Sequence, residues 1–173
     1  MMRWRHLIGT SLLLAASVSA TAGDFAGTVT HVTDGDTLWV RPASGGAPRQ
    51  IRLQGIDAPE ICQAFGSQAR DALAARVLRR QVEVRSRATD SYHRALAHVS
   101  LGDDDLGAWM VKRGYAWSYR FHNDPGPYAR QQAHARKAGL GLWRGDAPVS
   151  PREFRKRHGS CSGKPGALAL QNP

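Results

Sequence analysis

The stretch FAGTVTHVTDGDTLWVR, residues 25–41, decides the fold of this chain, because it places a turn signal between two segments rich in β-branched and aromatic residues. Asp34-Gly35 is one of the dipeptides preferred in short hairpin turns. The stretch therefore predicts two antiparallel strands, residues 25–32 and 37–41, joined at this turn.

Three further strands are predicted along the chain. In residues 49–54, Ile51 and Leu53 fall on one face of a strand and Arg52 on the other, so Arg52 points away from the core that its neighbours form. Alternating valines and charged residues indicate a fourth strand, and a fifth follows it. These two lie around residues 82–84 and at residues 94–101. Five short strands predict a mainly β fold with a five-stranded barrel.

Three helices and a short C-terminal helical extension accompany the strands. The second helix is predicted to be capped by Asp104 or Asp105 and to end at Gly114. The sequence SPRE, residues 150–153, is a capping-box pattern with proline at the first helical position, and it predicts the start of the fourth helix. The predicted ranges are residues 67–80, 104–114, 127–138 and 150–158.

The amino terminus has the pattern of a cleaved secretory signal peptide, residues 1–22. Arg3 and Arg5 precede an apolar run, and small residues follow where a signal peptidase cuts. An uncleaved membrane anchor is the alternative, but the apolar run is short for a bilayer span. We therefore expect an exported protein, periplasmic or extracellular, with no membrane association after cleavage.

Composition indicates a globular protein of one domain rather than a disordered chain. We predict a domain at residues 23–147 and a basic extension at residues 148–173, partly disordered unless a disulfide tethers it. The net charge of +10, which loss of Arg3 and Arg5 lowers by two, favours an anionic polymer as partner. We expect a monomer.

The chain has two cysteines, Cys62 and Cys161, and an exported protein meets an oxidising compartment. A Cys62–Cys161 disulfide is predicted, with two unpaired thiols as the alternative. The bond would tether the C-terminal tail near the acidic segment at residues 57–60.

Charged residues cluster where strands end, and their chemistry suits hydrolysis of a phosphodiester. Asp36 and Asp57 are predicted to meet at one rim of the barrel, where two carboxylates can hold Ca²⁺. Glu60 follows in a loop restrained by proline and suits a general base. Arg52 and Arg94 carry the planar forks of donors that clamp a phosphate.

Aromatic residues near these charges are candidates for stacking on a base or a ribose, with packing in the core as the alternative that is more common for aromatic residues in strands. They are Tyr92, Tyr119 and Trp117. Asp34, in contrast, is predicted to serve the turn rather than the chemistry.

The motifs DGDT (34–37), RL (52–53), IDAPE (56–60), DSYHR (90–94) and GLGLW (139–143) occur in this order. With them the chain resembles the staphylococcal nuclease (thermonuclease) family from about residue 25 to residue 143. The resemblance implies an OB-fold barrel with helices and a calcium-dependent endonuclease of DNA and RNA that leaves 3′-phosphates and 5′-hydroxyls.

The resemblance also implies roles for particular residues. Ca²⁺ ligation falls to Asp36, Asp57 and the Ala58 carbonyl, and activation or positioning of water falls to Glu60. Contacts with the phosphate and the transition state fall to Arg52 and Arg94, and nucleotide contacts to Tyr92 and Tyr119.

The chain departs from the family pattern at two places. His93 stands where the family has glycine, which predicts a positive φ that histidine adopts at some cost. Residues 61–64 form only a short stretch where the best-known member has a long loop.

Two other function classes are alternatives to a nuclease. A noncatalytic nucleic-acid-binding OB-fold module would need phosphate affinity but no water-activating carboxylate. A zinc protein would need histidines and cysteines at ligand spacing, which the sequence does not have.

Overall fold

The structure is a computed structural model, and it describes residues 23–119, 124–145 and 147–161. The predicted signal peptide, residues 1–22, lies outside the described residues, and so does the end of the predicted extension, residues 162–173. The predicted boundary between domain and extension stays a prediction.

The strands of the described chain are, in order, β1 Phe25–Asp34, β2 Thr37–Pro42, β3 Arg49–Leu53, β4 Ile56–Asp57, β5 Gln81–Thr89, β6 Ala95–Leu101, β7 Asp104–Asp105 and β8 Trp117–Ser118. β1 pairs antiparallel with β2 and β5, β2 with β3, and β5 with β6. β3 and β6 run parallel and close the barrel. The predicted five-stranded barrel, β1, β2, β3, β5 and β6, is therefore confirmed.

The three two-residue strands were not predicted, because two residues carry no recognisable alternation. β4 pairs antiparallel with β8, which sets Asp57 opposite Trp117. The Tyr119 N–H donates to the Gly55 carbonyl at 2.8 Å, which extends the backbone hydrogen bonding between these two segments by one residue beyond the strands. The β4–β8 pairing therefore brings the segment that carries Tyr119 beside the acidic loop after β4.

In the described residues four α-helices lie in the predicted order, and a short 3₁₀-helix that was not predicted lies between the third and the fourth. The α-helices are α1 Gly66–Val77, α2 Leu106–Lys112, α3 Ala129–Lys137 and α4 Pro151–His158, and the 3₁₀-helix is Gly141–Arg144. α1 ends three residues before the predicted limit, because Leu78 leaves the helical region of backbone conformations and Arg79 has φ 63°. The other helices agree with prediction to within two or three residues.

Helix caps follow the sequence signals. Asp105, not Asp104, caps α2, since its Oδ1 accepts from the Ala108 N–H at 2.8 Å. Ser150 Oγ accepts from the Glu153 N–H at 3.2 Å and starts α4. The Glu153 carboxylate accepts from Arg157 at 2.8 Å, one turn further along α4.

The core fills the inside of the barrel and the space between β1 and α1. Ile51 and Leu53 are buried, as predicted, and so are the three apolar residues at helical spacing in α1. These three are Ala69, Leu73 and Val77. Burying a side chain of leucine or valine size contributes roughly 1.5–3 kcal/mol to the stability of the fold.

No described helix combines the length and the hydropathy that a bilayer-spanning segment needs.

Candidate active site

Asp36 lies in the turn between β1 and β2, and the packing of the turn fixes its position. The Asp36 N–H donates to Asp34 Oδ1 at 3.0 Å, so Asp34 serves the turn, as predicted. A Cβ on Gly35 would lie 2.7 Å from the Ala58 Cβ, so the turn needs glycine to approach the loop after β4 this closely. The Asp36 carboxylate is held beneath that loop, where Oδ2 accepts from the Ala58 N–H at 2.7 Å.

Arg52 points out of the barrel core, as the strand alternation predicts, and bridges the two predicted metal-binding aspartates. Its Nη1 lies 2.7 Å from Asp36 Oδ2, and its Nη2 lies 3.2 Å from Asp57 Oδ1. The Arg52 side chain is only 15% exposed. The structure thus brings Arg52, Asp36 and Asp57 together at one rim.

Burial raises the pKa of both aspartates, because it disfavours their charged form. For Asp36 the Arg52 guanidinium opposes the rise and the neighbouring Asp34 adds to it. For Asp57 the hydrogen bond from Arg155 opposes the rise and the Asp36 carboxylate adds to it. Nearby positive charge therefore favours the ionised form of both carboxylates.

Asp36 and Asp57 are the side chains that fit a hard divalent cation. In the ranges that the structure describes, no three His, Cys, Asp or Glu side chains gather as metal ligands. Calcium completes its coordination with backbone carbonyls and water, so two buried carboxylates beside an open cleft suit a weak site of that kind. The structure gives Ala58 a role through its N–H, and the predicted ligation by its carbonyl stays a prediction.

Glu60 projects from the loop after β4, and its backbone is held on both sides. Its N–H donates to Gln63 Oε1 at 3.2 Å, and its carbonyl accepts from the Gln63 N–H at 2.8 Å. The Glu60 side chain is 21% exposed, and its Oε1 accepts from Arg155 Nη1 at 2.8 Å. The carboxylate of Glu60 therefore reaches the cleft in a defined position.

Arg94 is positioned by Asp90, to which sequence reasoning gave no role. Asp90 Oδ2 accepts from Arg94 Nε at 2.8 Å, and Oδ1 accepts from the Tyr92 and Arg94 backbone N–H groups at 2.9 and 3.0 Å. Burial would raise the pKa of Asp90, but these hydrogen bonds and the Arg94 charge outweigh it and lower the pKa. His93 has φ 63°, the positive value that its place in the motif predicts. The carboxylate of Asp90 thus holds this tight turn, and with it the direction of Arg94.

The predicted side chains meet in one cleft of about 570 Å³. Its lining includes Asp36, Arg52, Asp57, Ala58, Glu60, Tyr92, Arg94 and Tyr119. Tyr92 is 74% exposed and Tyr119 45%, so both rings are open to a ligand. Trp117 is buried and packs edge-on against Trp143 with ring centroids 5.4 Å apart. For Trp117 the structure therefore agrees with the packing alternative, because its indole is part of the protein interior.

The C-terminal extension adds a residue that sequence reasoning missed. Cys62 and Cys161 form a disulfide with Cα atoms 5.9 Å apart, so neither offers a thiol to a zinc ion. The bond sets α4 against the acidic loop, and Arg155 of α4 donates to Asp57 and Glu60. In the sequence Arg155 is one of several basic residues of a short helix, and the predicted disulfide was the signal that could have placed it.

Comparison with known proteins shows what this chain is similar to. Residues 50–145 match the family model described as staphylococcal nuclease homologue. The chain is 34% identical over 155 residues to an uncharacterized endonuclease of Haemophilus influenzae, which covers 88% of this chain and 86% of that protein. It is 36% identical over 160 residues to the micrococcal nuclease of Shigella flexneri, and this alignment covers 86% of this chain and 90% of that protein. Protein ParB of Escherichia coli is 37% identical over 158 residues, with 84% and 88% covered.

Proposed function

Since this chain belongs to the staphylococcal nuclease family and is a thermonuclease-like nuclease, we propose that it is a calcium-dependent endonuclease of DNA and RNA that leaves 3′-phosphate and 5′-hydroxyl ends. One observation carries the proposal: Arg52, Arg94 and Glu60 line the same cleft as Asp36 and Asp57. A carboxylate that can activate water, two guanidinium groups and a pair of buried carboxylates form the set that phosphodiester hydrolysis needs.

In this proposal Asp36 and Asp57 hold the cation, with the Ala58 carbonyl as a further ligand. Bound Ca²⁺ would supply positive charge next to the phosphate. The raised pKa values of the two aspartates agree with a site that favours added positive charge.

The chain's own groups account for the chemical step. Glu60 orients a water molecule and accepts its proton while the water oxygen forms a bond to phosphorus. The bond from phosphorus to the 5′ oxygen breaks, and that oxygen takes up a proton from solvent water, which gives a 5′-hydroxyl and a 3′-phosphate. Arg52 and Arg94 donate hydrogen bonds to the phosphoryl oxygens as negative charge builds there.

Tyr92 and Tyr119 bind the nucleotides on either side of the reacting phosphate. Their exposed rings at the cleft offer flat surfaces, and stacking on a base tolerates every base. Stacking without contacts to base edges would suit a nuclease of broad sequence range.

Export of a monomer is part of the proposal. The amino-terminal pattern of residues 1–22 and the Cys62–Cys161 disulfide support export, since disulfides persist in oxidising compartments. The mass of the chain recovered from the periplasm or the medium shows whether residues 1–22 have been removed.

End-group analysis tests the reaction directly. The purified protein is incubated with single- and double-stranded DNA and RNA in Ca²⁺ or in EDTA, and the product ends are mapped with a kinase and a phosphatase. We expect cleavage in Ca²⁺ with 3′-phosphate ends and none in EDTA. Binding without cleavage at any Ca²⁺ concentration would support the noncatalytic module instead, and 5′-phosphate ends would contradict the proposed direction of attack.

A further inference from the structure

Arg155 of α4 occupies the acidic side of the active-site cleft. Its Nη2 lies 3.0 Å from Asp57 Oδ2, and its Nη1 lies 3.2 Å from Asp57 Oδ1 and 2.8 Å from Glu60 Oε1. The Arg155 guanidinium group thus binds two residues that are far from it in the sequence, Asp57 at a separation of 98 residues and Glu60 at a separation of 95. Because Asp57 is only 7% exposed at its side chain, this contact lies inside the site and is not a solvated surface pair.

α4 is anchored on both sides of Arg155. Before the helix, Gln63 Nε2 donates to the Val149 carbonyl at 2.7 Å, and Pro151 at the first turn is buried. After the helix, Cys161 is bonded to Cys62, two residues beyond Glu60. These anchors keep the Arg155 guanidinium at a high effective concentration next to Asp57 and Glu60.

Arg155 takes the positions that a cation would need. It donates to both carboxylate oxygens of Asp57, and Arg52 also donates to Oδ1. Three carboxylates and two guanidinium groups form one connected group, in which Asp57 pairs with both arginines, Asp36 pairs with Arg52 and Glu60 pairs with Arg155. Withdrawal of Arg155 would change the formal charge of this group from −1 to −2, which suits a divalent cation.

We propose that Arg155 is a built-in competitor of the divalent cation, held on Asp57 and Glu60 by the disulfide-anchored extension. The proposal rests on the proposed function for the identity of the cation. Arg155 must leave Asp57 before that carboxylate can bind Ca²⁺ fully, and it must leave Glu60 before Glu60 can accept a proton from water. The extension thereby sets the Ca²⁺ concentration at which the site fills.

Calorimetric titration with Ca²⁺ alone, without nucleic acid, tests this competition. Arg155→Gln is expected to bind Ca²⁺ about tenfold more tightly than the parent, because the competing cation is gone. Arg152→Gln removes the same charge from the same helix at a residue outside these contacts, and its affinity should stay within about twofold. Arg155→Lys keeps the charge but loses the bidentate contact, so its Ca²⁺ affinity should lie between those of Arg155→Gln and Arg152→Gln.

Removal of the disulfide provides a second, independent test of the proposal. The double variant Cys62→Ser/Cys161→Ser keeps Arg155 but frees one end of α4, so it should also bind Ca²⁺ more tightly than the parent, by less than Arg155→Gln. Circular dichroism and thermal melts in EDTA show that each variant is folded. Arg155→Gln should also melt lower than Arg152→Gln, since it alone loses contacts to Asp57 and Glu60.

The outcomes separate this proposal from the proposed function. If the parent cleaves nucleic acid in Ca²⁺ but a folded Arg155→Gln binds Ca²⁺ no more tightly than Arg152→Gln, the competition is overturned and the nuclease stands. If Arg155→Gln binds Ca²⁺ tightly and no variant cleaves, the competition stands and the proposed reaction fails. A double serine variant that binds Ca²⁺ less tightly than the parent would overturn the role of the disulfide.

Discussion

Glu60→Gln is expected to lower kcat by about 10²- to 10⁴-fold, with little change in the KM for DNA. Glutamine keeps the size of glutamate and an oxygen that can still accept from Arg155, but it cannot take a proton from water. The backbone hydrogen bonds to Gln63 do not involve the side chain of Glu60, so the loop should keep its shape. Steady-state cleavage of a single-stranded oligonucleotide in saturating Ca²⁺ measures both constants.

A matched control is Glu83→Gln, at an exposed glutamate of β5 that pairs only loosely with Arg85 at 3.6 Å. It removes the same charge at a residue that is not part of the cleft lining and should keep kcat within about twofold of the parent. A Glu60→Gln variant with the kcat of the parent would show that Glu60 neither activates nor orients water.

Arg52→Gln is expected to lower both kcat/KM and stability. Loss of one preorganised, charged hydrogen-bond donor to the phosphate should lower kcat/KM by about 10²- to 10³-fold. The same change leaves Asp36 and Asp57 buried without the guanidinium that bridges them, which should cost about 3 kcal/mol in the free energy of unfolding. Oligonucleotide cleavage and urea denaturation in EDTA measure the two effects.

Two comparisons show whether Arg52 acts as argued. Arg52→Lys keeps one charge but not the fork that spans Asp36 and Asp57, so it should recover part of the stability and little of the rate. Arg85→Gln removes an exposed arginine from β5 and should change neither quantity measurably. If Arg52→Gln kept the parent's kcat/KM, the phosphate contact assigned to Arg52 would be wrong.

Sequence was sufficient wherever local periodicity or turn chemistry decided the structure. The alternation of Ile51, Arg52 and Leu53 correctly predicted that Arg52 leaves the core, and the Asp34-Gly35 turn correctly placed Asp36 at the barrel rim. The helix caps could also be predicted from the sequence, because Asp105 and Ser150 stand where a side chain can accept a hydrogen bond from the free backbone N–H groups of the first helical turn.

Sequence was insufficient where distant segments meet. The sequence left two alternatives for Trp117, stacking on a base or packing in the core, and only the β4–β8 pairing decides for packing, beside Trp143. Asp90 looked like part of a motif, but only the coordinates show that its carboxylate orients Arg94. The role of Arg155 could not be predicted, because the neighbouring sequence does not distinguish a guanidinium group that faces solvent from one that contacts Asp57.

The central claim is that Arg52, Arg94 and Glu60 surround one phosphate next to a cation on Asp36 and Asp57. A crystal structure with Ca²⁺ and a nucleoside 3′,5′-bisphosphate, an analogue of the expected product end, tests this most directly. The account predicts a phosphate within hydrogen-bond distance of both guanidinium groups, a cation on the two aspartates and Arg155 withdrawn from Asp57. A nucleotide bound outside this cleft, or one whose phosphate meets neither Arg52 nor Arg94, would contradict it.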